Sequence, residues 1–276
     1  MKSNVKVSVI TVVYNDVKNI EKTIKNVLKQ TYTNLEYVVV DGASKDGTLD
    51  IIKRYEGKLR WISEPDKGIY DAMQKGAEMA TGEWIIFRNC GDYFIHPSAI
   101  ENVFNCYTDD KKEDLLIANT RFFKNYGYKD AKPSILTKHY FDAMPMLHPS
   151  TFVRRTIQLK YPFHLEYRNS ADYCFFIECL INGAKWRFFD ILIALFDNRL
   201  GASSENYGRS IQDNIDILKH FNAPVSKIKH LEKVFADYRL RTTLKRFMPF
   251  YNLYHKYNLR KNGWTKESLD MVLKDI

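Results

Sequence analysis

Short apolar runs and amphipathic segments alternate along the first third of the chain. The apolar runs occupy Val5–Val13, Leu35–Val40, Leu59–Ile62 and Trp84–Phe87. Most of their residues are β-branched or aromatic, the pattern of strands buried on both faces of a parallel sheet. Between the runs, apolar residues recur at helical spacing, as Ile20, Ile24 and Val27 do. This alternation predicts an α/β fold with a Rossmann-like, mostly parallel sheet flanked by helices.

The remainder of the chain shows the same kinds of pattern less regularly. We expect a helix over Pro97–Tyr107, a strand over Leu115–Asn119, and edge strands over Trp186–Phe189 and Ile191–Phe196. We also expect an amphipathic helix that is opened by Tyr167–Tyr173 and ends at Asn182 and Gly183. From Ile211 the pattern is mainly helical. A chain of 276 residues is long enough for one large α/β domain with an appendage. We place the domain at residues 1–207 and a C-terminal helical extension at residues 208–276.

Composition narrows the class of protein. Hydrophobic residues make up 45% of the chain and charged residues 27%, which excludes disordered and collagen-like chains. The first residues lead directly into a predicted strand, and no window of about eighteen residues is uninterruptedly apolar, so we expect neither a signal peptide nor a membrane span. The four cysteines form no CxxC pair. They indicate reduced, mostly buried thiols in a cytoplasmic protein.

The net charge of +9 is concentrated near the C-terminal end. Residues 211–276 contain thirteen Lys and Arg against seven Asp and Glu, which accounts for +6 of the total. Within them, Leu244–Tyr257 interleaves aromatic residues with cations. Such a segment suits an anionic lipid surface or a nucleic acid whose bases stack on the rings. It also suits a helical arm that packs on the rest of the chain or on a second subunit.

Acidic side chains follow three of the predicted strands. Asp41, Asp66 and Asp92 each come just after an apolar run, and the carboxyl ends of parallel strands share the edge of the sheet where α/β proteins bind ligands. Three carboxylates on one edge repel each other unless a cation or a ligand compensates. The pattern therefore favours a metal-assisted site, with Asp92 at the end of a central strand. The alternative for Asp92 is a cap on the helix that begins near Pro97.

Two sequence motifs of nucleotide-binding enzymes are missing from the chain. Neither GxGxxG after the first strand nor GxxxxGK[ST] occurs, which argues against a dinucleotide oxidoreductase and a P-loop enzyme. Tyr14, after the first strand, could stack on a base, and Asp41 could accept a hydrogen bond from a pyrimidine N3–H. This pair indicates a nucleotide held by its base on the first two strands, with its diphosphate near Asp92. A plain core aromatic is the alternative for Tyr14.

Four motifs occur in order over residues 5–94, namely SVITVVYN, VVVDGASKDGT, SEPDKGIYDAM and TGEWIIFRNCGDYF. Together they resemble the family-two glycosyltransferases of the GT-A fold, and most closely the bacterial branch that builds cell-surface polysaccharides. The resemblance implies transfer of a sugar from a nucleotide-diphosphate donor with inversion at the anomeric carbon. It also implies a divalent cation, Mn²⁺ or Mg²⁺, held by a DxD-type motif, and an aspartate as general base.

The resemblance also implies roles for individual residues. The residues implied to contact the nucleotide-sugar are Val13, Tyr14, Asp41, Asp66, Asp71, Asn89, Cys90, Gly91 and His148. The residue implied to bind the metal is Asp92. The chain departs from the usual motif because Asn89 and Gly91 stand where the first two acids are expected. A single carboxylate then holds the metal with the diphosphate and water, so we expect weak, donor-dependent metal binding.

Segments in the second half complete the implied site. In Met146–Phe152, His148 resembles the family histidine that faces the donor phosphates or the acceptor, and a hydrogen-bonded structural histidine is the alternative. Asp172 matches the catalytic base, although Ala171 replaces the acid that commonly precedes it. A carboxylate that stabilises the start of a helix is the alternative for Asp172. Arg199–Ser204 resembles the loop that folds over the diphosphate.

These observations predict an inverting, metal-assisted glycosyltransferase that moves a UDP-linked sugar to a glycan or polyprenyl-linked acceptor in surface polysaccharide synthesis. Lipid is then the preferred partner of the basic segment, with no nucleic acid. We therefore expect peripheral contact with the inner face of the cell membrane, and a homodimer contact through the C-terminal helices. One alternative is a degenerate nucleotide-sugar-binding protein, because acids are missing at Gly91 and Ala171. A nucleotidyltransferase is the other, although it would show a glycine-rich, lysine-bearing first loop.

Overall fold

The computed structural model describes residues 5–108, 112–124, 127–197 and 206–244. In this part of the chain the strands are β1 (Val7–Val13), β2 (Leu35–Asp41), β3 (Arg60–Ser63), β4 (Trp84–Phe87), β5 (Tyr93–Phe94), β6 (Leu115–Lys124), β7 (Gly127–Ala131), β8 (Thr151–Arg154) and β9 (Trp186–Asp197). The helices are α1 (Ile20–Leu28), α2 (Thr48–Lys53), α3 (Ile69–Met79), α4 (Ala99–Cys106), α5 (Arg155–Lys160), α6 (Ala171–Ile181), α7 (Tyr207–His220) and α8 (Val225–Leu244). The first four strands and their helices follow the predicted alternation.

The described strands form one sheet in the order β3-β2-β1-β4-β8-β6-β9-β5, with β7 paired to β6. Strands β1 to β4 are parallel to their neighbours in this group. Strand β8 runs antiparallel to β4 and β6, whereas β9 is parallel to β6 and antiparallel to β5. The sheet is therefore parallel in its first half and mixed beyond β4. The register pairs Asp41 with Val13 and with Ser63, so β1, β2 and β3 end at one edge.

Both faces of the sheet are buried, because successive residues of a strand point to opposite sides. Ile10 and Val38 face a core shared with α3 and α6. Val9 and Val39 face a second core shared with α1 and α4. All seven residues of β1 are buried. Burial on two faces explains why the parallel strands have near-continuous apolar sequences.

One carboxylate joins several elements at the edge of the sheet where β2 begins. Glu36 accepts hydrogen bonds from the Ser8 hydroxyl at 2.5 Å and from the Thr81 amide at 2.7 Å. It also accepts from the Arg60 guanidinium at 3.0 Å. Burial alone would raise the pKa of Glu36, but the hydrogen bonds outweigh it and lower the pKa to about 2. Glu36 therefore joins β1, β2 and β3 to the segment that follows α3.

The two predicted edge strands are one continuous strand inside the sheet. Strand β9 spans Trp186–Asp197 and lies between β6 and β5. Asp190 separates the two apolar runs and accepts a hydrogen bond from the Asn119 amide of β6 at 2.8 Å, so its polarity is satisfied without a break in the strand. Strand β6 extends past the predicted end at Asn119 to Lys124 and pairs with β7. Periodicity predicted little in that region.

The first C-terminal helix belongs to the main fold. Its buried apolar residues are Ile211, Ile215, Ile217 and Leu218. Two of them, Ile217 and Leu218, pack in the same core as residues of α3 and α6. The domain boundary proposed between residues 207 and 208 falls inside α7, which begins at Tyr207. Helix α7 is therefore part of the α/β body, and α8 packs against it.

Two predicted segments lie wholly or mostly outside the described residues. Arg199–Ser204 lies outside the described residues, and of Leu244–Tyr257 only Leu244 lies within them. Among the described helices, none combines the length and the apolar character that a membrane crossing requires. All four cysteines are free. Cys174 and Cys179 are buried, whereas Cys90 is half-buried and Cys106 is exposed.

Candidate active site

A cleft of about 1170 Å³ opens where the parallel strands end, the edge at which open α/β sheets bind ligands. Residues from the ends of β1 and β4, the start of α3, the turn at His148, the start of α6, and helices α7 and α8 line it. The predicted residues among them are Val13, Tyr14, Asp66, Asn89, Cys90, Asp92, His148 and Asp172. The cleft therefore brings together predicted residues that are far apart in the sequence, such as Val13 and Asp172.

One end of the cleft combines an exposed aromatic ring with a carboxylate. Tyr14 is 66% exposed, which excludes a core role. A Cβ on Gly42 would lie 2.4 Å from Asp66 Oδ2 and 3.2 Å from Tyr14 Cδ2. The absent side chain of Gly42 thus leaves room for the Asp66 carboxylate and the Tyr14 ring beside the same stretch of backbone. Asp66 is held there because its Oδ1 accepts a hydrogen bond from the Gly68 amide at 2.8 Å.

Asp41 is fully buried at the end of β2. Its Oδ2 accepts hydrogen bonds from the Ser63 hydroxyl at 2.6 Å and from the Ser44 amide at 3.1 Å. Its Oδ1 is buried and has no hydrogen-bond partner among the described residues, which is costly unless a bound group donates to it. Asp41 is not among the residues that line the cleft. Recognition of a pyrimidine by Asp41 stays a prediction. The Asp41 Oδ1 atom is the acceptor that such recognition requires.

A chain of hydrogen bonds connects three predicted residues in the cleft. His148 Nδ1 lies 3.1 Å from Asp172 Oδ2, and His148 Nε2 lies 3.3 Å from Asn89 Nδ2. An ionised carboxylate can only accept, so Nδ1 donates to Asp172, while Nε2 faces the Asn89 side chain. The side chains of His148 and Asp172 are 16% and 14% exposed. His148 therefore occupies the site, and hydrogen bonds at both ring nitrogens fix its orientation.

A tyrosine that the sequence did not single out also holds Asp172. The Tyr70 hydroxyl, in the first turn of α3, donates to Asp172 Oδ1 at 2.8 Å. Burial, and then the charge of Asp172, raise the pKa of Tyr70 well above its usual range, so the hydroxyl stays a donor. The same Oδ1 accepts from the Tyr173 amide at 2.9 Å, so Asp172 also stabilises the start of α6. Its second oxygen accepts, within the described residues, from His148 alone and keeps capacity for a ligand. In the sequence, the feature that could have pointed to Tyr70 as a site residue was its position within the motif SEPDKGIYDAM.

Asp92 lies just before β5 and is 4% exposed. It does not cap α4, whose N-cap residue is Ser98. Burial raises the pKa of Asp92 to about 7, and the nearby charges of His148 and Arg88 oppose the rise. Arg88 is itself buried, with its guanidinium carbon 3.8 Å from the centroid of the Phe94 ring. A proton therefore competes with any cation at Asp92 near neutral pH.

The residues around Asp92 fit a divalent cation that is shared with a ligand. Mn²⁺ and Mg²⁺ prefer oxygen ligands. The Asp92 carboxylate would be one such ligand, and Asn89 Oδ1, which is buried with no hydrogen-bond partner in the described ranges, would be a second. Within the described ranges, no three His, Cys, Asp or Glu side chains converge in a metal-holding group. Asp41, Asp66 and Asp92 therefore do not form a metal-holding group together, and metal binding by Asp92 alone stays a prediction.

Besides Asp41, two more predicted residues do not line the cleft. Asp71, in the first turn of α3, accepts a hydrogen bond from the Lys67 amide at 2.9 Å and lies 3.6 Å from Lys75 Nζ. It stabilises its own helix. Gly91 has a φ of 93°, in the left-handed region that favours glycine, and its amide donates to the Thr23 hydroxyl at 3.1 Å. Gly91 therefore serves the turn that leads into Asp92.

Cys90 and its neighbour Asp16 also line the cleft. The Cys90 thiol is 3.4 Å from Asp16 Oδ2, to which it donates. Burial, and then the charge of Asp16, raise the pKa of Cys90, so the thiol stays neutral. Asp16 was not predicted as a site residue. Its place directly after the first strand motif was an available signal.

Helices α7 and α8 contribute one wall of the cleft. Its residues are Tyr207, Ser210, Asn214, Tyr238 and Thr242. The sequence carried no motif for them, because they come from a helical stretch whose pattern predicted only an extension. We refer to these five residues as the helical wall.

The fold and the site together define a GT-A glycosyltransferase, with a Rossmann-like sheet flanked by helices and a cleft of acidic residues and a histidine at the strand ends. Residues 8–167 match the family model described as Glycosyl transferase family 2. This match covers more than half of the chain. The chain therefore belongs to glycosyl transferase family 2.

Individual relatives agree with the family. A PGL/p-HBAD biosynthesis glycosyltransferase of Mycobacterium bovis is 30% identical over 192 residues, which are 65% of this chain and 72% of that protein. The crystal structure of S. aureus TarS 1-349 in complex with UDP-GlcNAc has a TM-score of 0.63 and 19% identity, covering 93% of this chain and 77% of that one. The mannosyltransferase PcManGT from Pyrobaculum calidifontis, in complex with GDP-Man and Mn²⁺, has a TM-score of 0.62 and 17% identity, covering 84% and 70%. The two structures show the shared fold.

Proposed function

We propose that the protein transfers a sugar from a UDP-linked donor to a hydroxyl of a glycan or lipid-linked acceptor, with inversion, in the synthesis of a surface polysaccharide. One observation carries this proposal. Asp172 is hydrogen-bonded through His148 to Asn89, three residues before Asp92, in the same cleft as Tyr14 and Asp66. A base, a place for a diphosphate and a place for a nucleobase therefore share one space.

Asp172 is the general base in this proposal. The acceptor hydroxyl loses its proton to the carboxylate as its oxygen attacks the anomeric carbon, and the bond from that carbon to the diphosphate oxygen breaks on the opposite side. A single in-line displacement inverts the anomeric configuration. Tyr70 and His148 fix the carboxylate by hydrogen bonds of 2.8 and 3.1 Å. A positioned base of this kind contributes on the order of 10²–10⁴-fold to the rate.

Asp92 and Asn89 would hold a Mn²⁺ or Mg²⁺ ion in this proposal. When bound, the ion neutralises charge that develops on the leaving diphosphate. Asp92 supplies the carboxylate assigned to the ion, and among the described residues the buried Asn89 amide oxygen has no hydrogen-bond partner. The chain thus offers few ligands of its own, which supports metal binding that requires the donor. The neighbour PcManGT, described with GDP-Man and Mn²⁺, supports the same choice of ion.

Tyr14 and Asp66 face the donor in this proposal, with the base on the exposed Tyr14 ring. The UDP assignment is supported by the unpartnered Asp41 Oδ1, an acceptor at the end of β2 suited to a uracil N3–H. The TarS neighbour, described in complex with UDP-GlcNAc, points to the same nucleotide.

Calorimetric titration tests donor choice. UDP, UDP-GlcNAc, UDP-glucose and GDP-mannose are titrated with and without Mn²⁺, and we expect UDP compounds to bind and Mn²⁺ to strengthen binding. Tight binding of GDP-mannose with none of UDP would contradict the nucleotide assignment.

Transfer and hydrolysis, followed as UDP release, test the base. Asp172→Asn should lower turnover on the order of 10²–10⁴-fold and leave UDP affinity within about twofold. Asp190→Asn is the matched control, since Asp190 lies on β9 away from the cleft and pairs with Lys132. UDP binding without turnover, unchanged in Asp172→Asn, would instead establish the degenerate nucleotide-sugar-binding protein.

A further inference from the structure

The helical wall, defined above, lies outside residues 8–167, which match the family model. Helix α7 is nevertheless joined to the segment that carries Asp172. The Asn169 amide donates to Asp213 Oδ2 at 2.9 Å, and the Ser170 hydroxyl donates to the Ser210 carbonyl at 3.4 Å. Asp213 is 2% exposed. These bonds place the start of α7 beside the start of α6.

Tyr207 presents an aromatic surface in this part of the cleft. It is 50% exposed although its ring contacts Tyr238, with centroids 5.3 Å apart and planes at 76°. A Cβ on Gly208 would lie 2.7 Å from Tyr238 Cε1, so the glycine permits close approach of the two helices. Tyr238 therefore supports the Tyr207 ring from one side and leaves the remainder open.

Polar groups surround the two rings. Asn214 lines the cleft, and its buried Oδ1 has no hydrogen-bond partner in the part of the chain that the structure describes. The hydroxyls of Ser210 and Thr242 line the same wall. None of the five wall residues is aliphatic. A polyprenyl chain needs continuous apolar surface, whereas a sugar ring offers a C–H face to an aromatic ring and hydroxyls to amide and hydroxyl groups.

We propose that the helical wall is the acceptor subsite and that it binds a pyranose residue of the acceptor, with the sugar ring on Tyr207 and a hydroxyl on Asn214 Oδ1. This inference rests on the proposed function, because it assigns the acceptor side of the same cleft. The donor nucleoside belongs at Tyr14 and Asp66, at the end formed by β1 and β2. The wall adjoins Asp172, and a base must lie beside the hydroxyl that it deprotonates.

The test is saturation-transfer NMR and titration with methyl pyranosides of glucose, galactose, mannose and N-acetylglucosamine, each with and without UDP. We expect at least one pyranoside to bind and to receive saturation at its ring C–H protons. Tyr207→Ala and Asn214→Leu should each weaken its binding at least about fivefold, whereas Tyr207→Phe should retain it. UDP affinity should stay within about twofold in all three variants.

Trp186→Ala is the matched control, because Trp186 is also an exposed aromatic residue, 37% exposed, and does not line the cleft. Its pyranoside and UDP affinities should equal those of the unaltered chain. The inference is overturned if Tyr207→Ala binds pyranosides normally, if no pyranoside binds while UDP does, or if only a polyprenyl phosphate in detergent competes through Tyr207. Absence of UDP binding contradicts the proposed function instead, so the two failures are distinguishable.

Discussion

Gly42→Ala tests whether Asp66 contacts the donor, without removing any polar group. The new methyl group would lie 2.4 Å from Asp66 Oδ2, whereas unstrained heavy-atom contacts are about 3.5 Å. The carboxylate must therefore retreat by about 1 Å. Such a shift breaks or bends the 2.8 Å hydrogen bond from the Gly68 amide to Asp66. It also tips the Tyr14 ring, whose Cδ2 would be 3.2 Å from the methyl carbon.

The expected cost falls on binding rather than on folding. If the donor makes a hydrogen bond to the Asp66 carboxylate, its loss costs about 1.5–3 kcal/mol of binding free energy. The Kd for UDP-GlcNAc should then rise about 10- to 150-fold. Asp66 is a flexible side chain at the cleft and Tyr14 is 66% exposed, so both can move without disturbing a core. Gly42 is not among the residues with positive φ. Alanine therefore suits its backbone, and the gain of about 0.4–1 kcal/mol from a less flexible unfolded chain offsets the weakening of the exposed Gly68–Asp66 hydrogen bond. The free energy of unfolding should therefore change by no more than about 1 kcal/mol.

Titration calorimetry and thermal unfolding of Gly42→Ala, Asp66→Ala and the double variant decide the matter. Both single variants should weaken UDP-GlcNAc binding, and the double variant should be no worse than Asp66→Ala, because the two changes act through one carboxylate. An unchanged Kd in a stably folded Gly42→Ala, or fully additive losses, would refute the assignment of Asp66 to the donor pocket.

Two further variants test the network and the sheet. Tyr70→Phe removes the hydroxyl that donates to Asp172 but keeps the ring, so kcat should fall about tenfold with the donor KM unchanged; equal kcat would show that Asp172 needs no such support. Glu36→Gln should destabilise the fold at pH 7 in urea unfolding, by at most about 3 kcal/mol for a pKa that falls from 4.5 to about 2. Because the folded pKa is the lower one, the contribution of Glu36 is complete above about pH 4.5 and is lost as the pH falls towards 2. The exposed Arg60 partner reduces the figure, and a stability gap that persists at pH 2 would contradict the account.

The chain's local pattern was enough to predict the parallel half of the sheet and the polar ends of its strands. Buried strands need β-branched, apolar runs, and the turns that follow them need polar and glycine residues close by in sequence. Tyr14, Asn89 and Asp92 were therefore predicted at the strand ends, and all three line the cleft. The turn at Gly91, with its φ of 93°, is local in the same sense.

Only the tertiary structure decided which distant groups meet. The hydrogen bond from Tyr70 to Asp172 joins residues 102 positions apart, and it depends on how α3 packs against α6. Asp71 follows Tyr70 directly, but its side chain points to another side of α3 and accepts a hydrogen bond from the Lys67 amide. The order of the motifs does not say which side of the helix faces the cleft. Helix α7 lines the cleft for a similar reason, because its apolar face packs in the core shared with α3 and α6. Side-chain packing between elements carries this information, and no local pattern contains it.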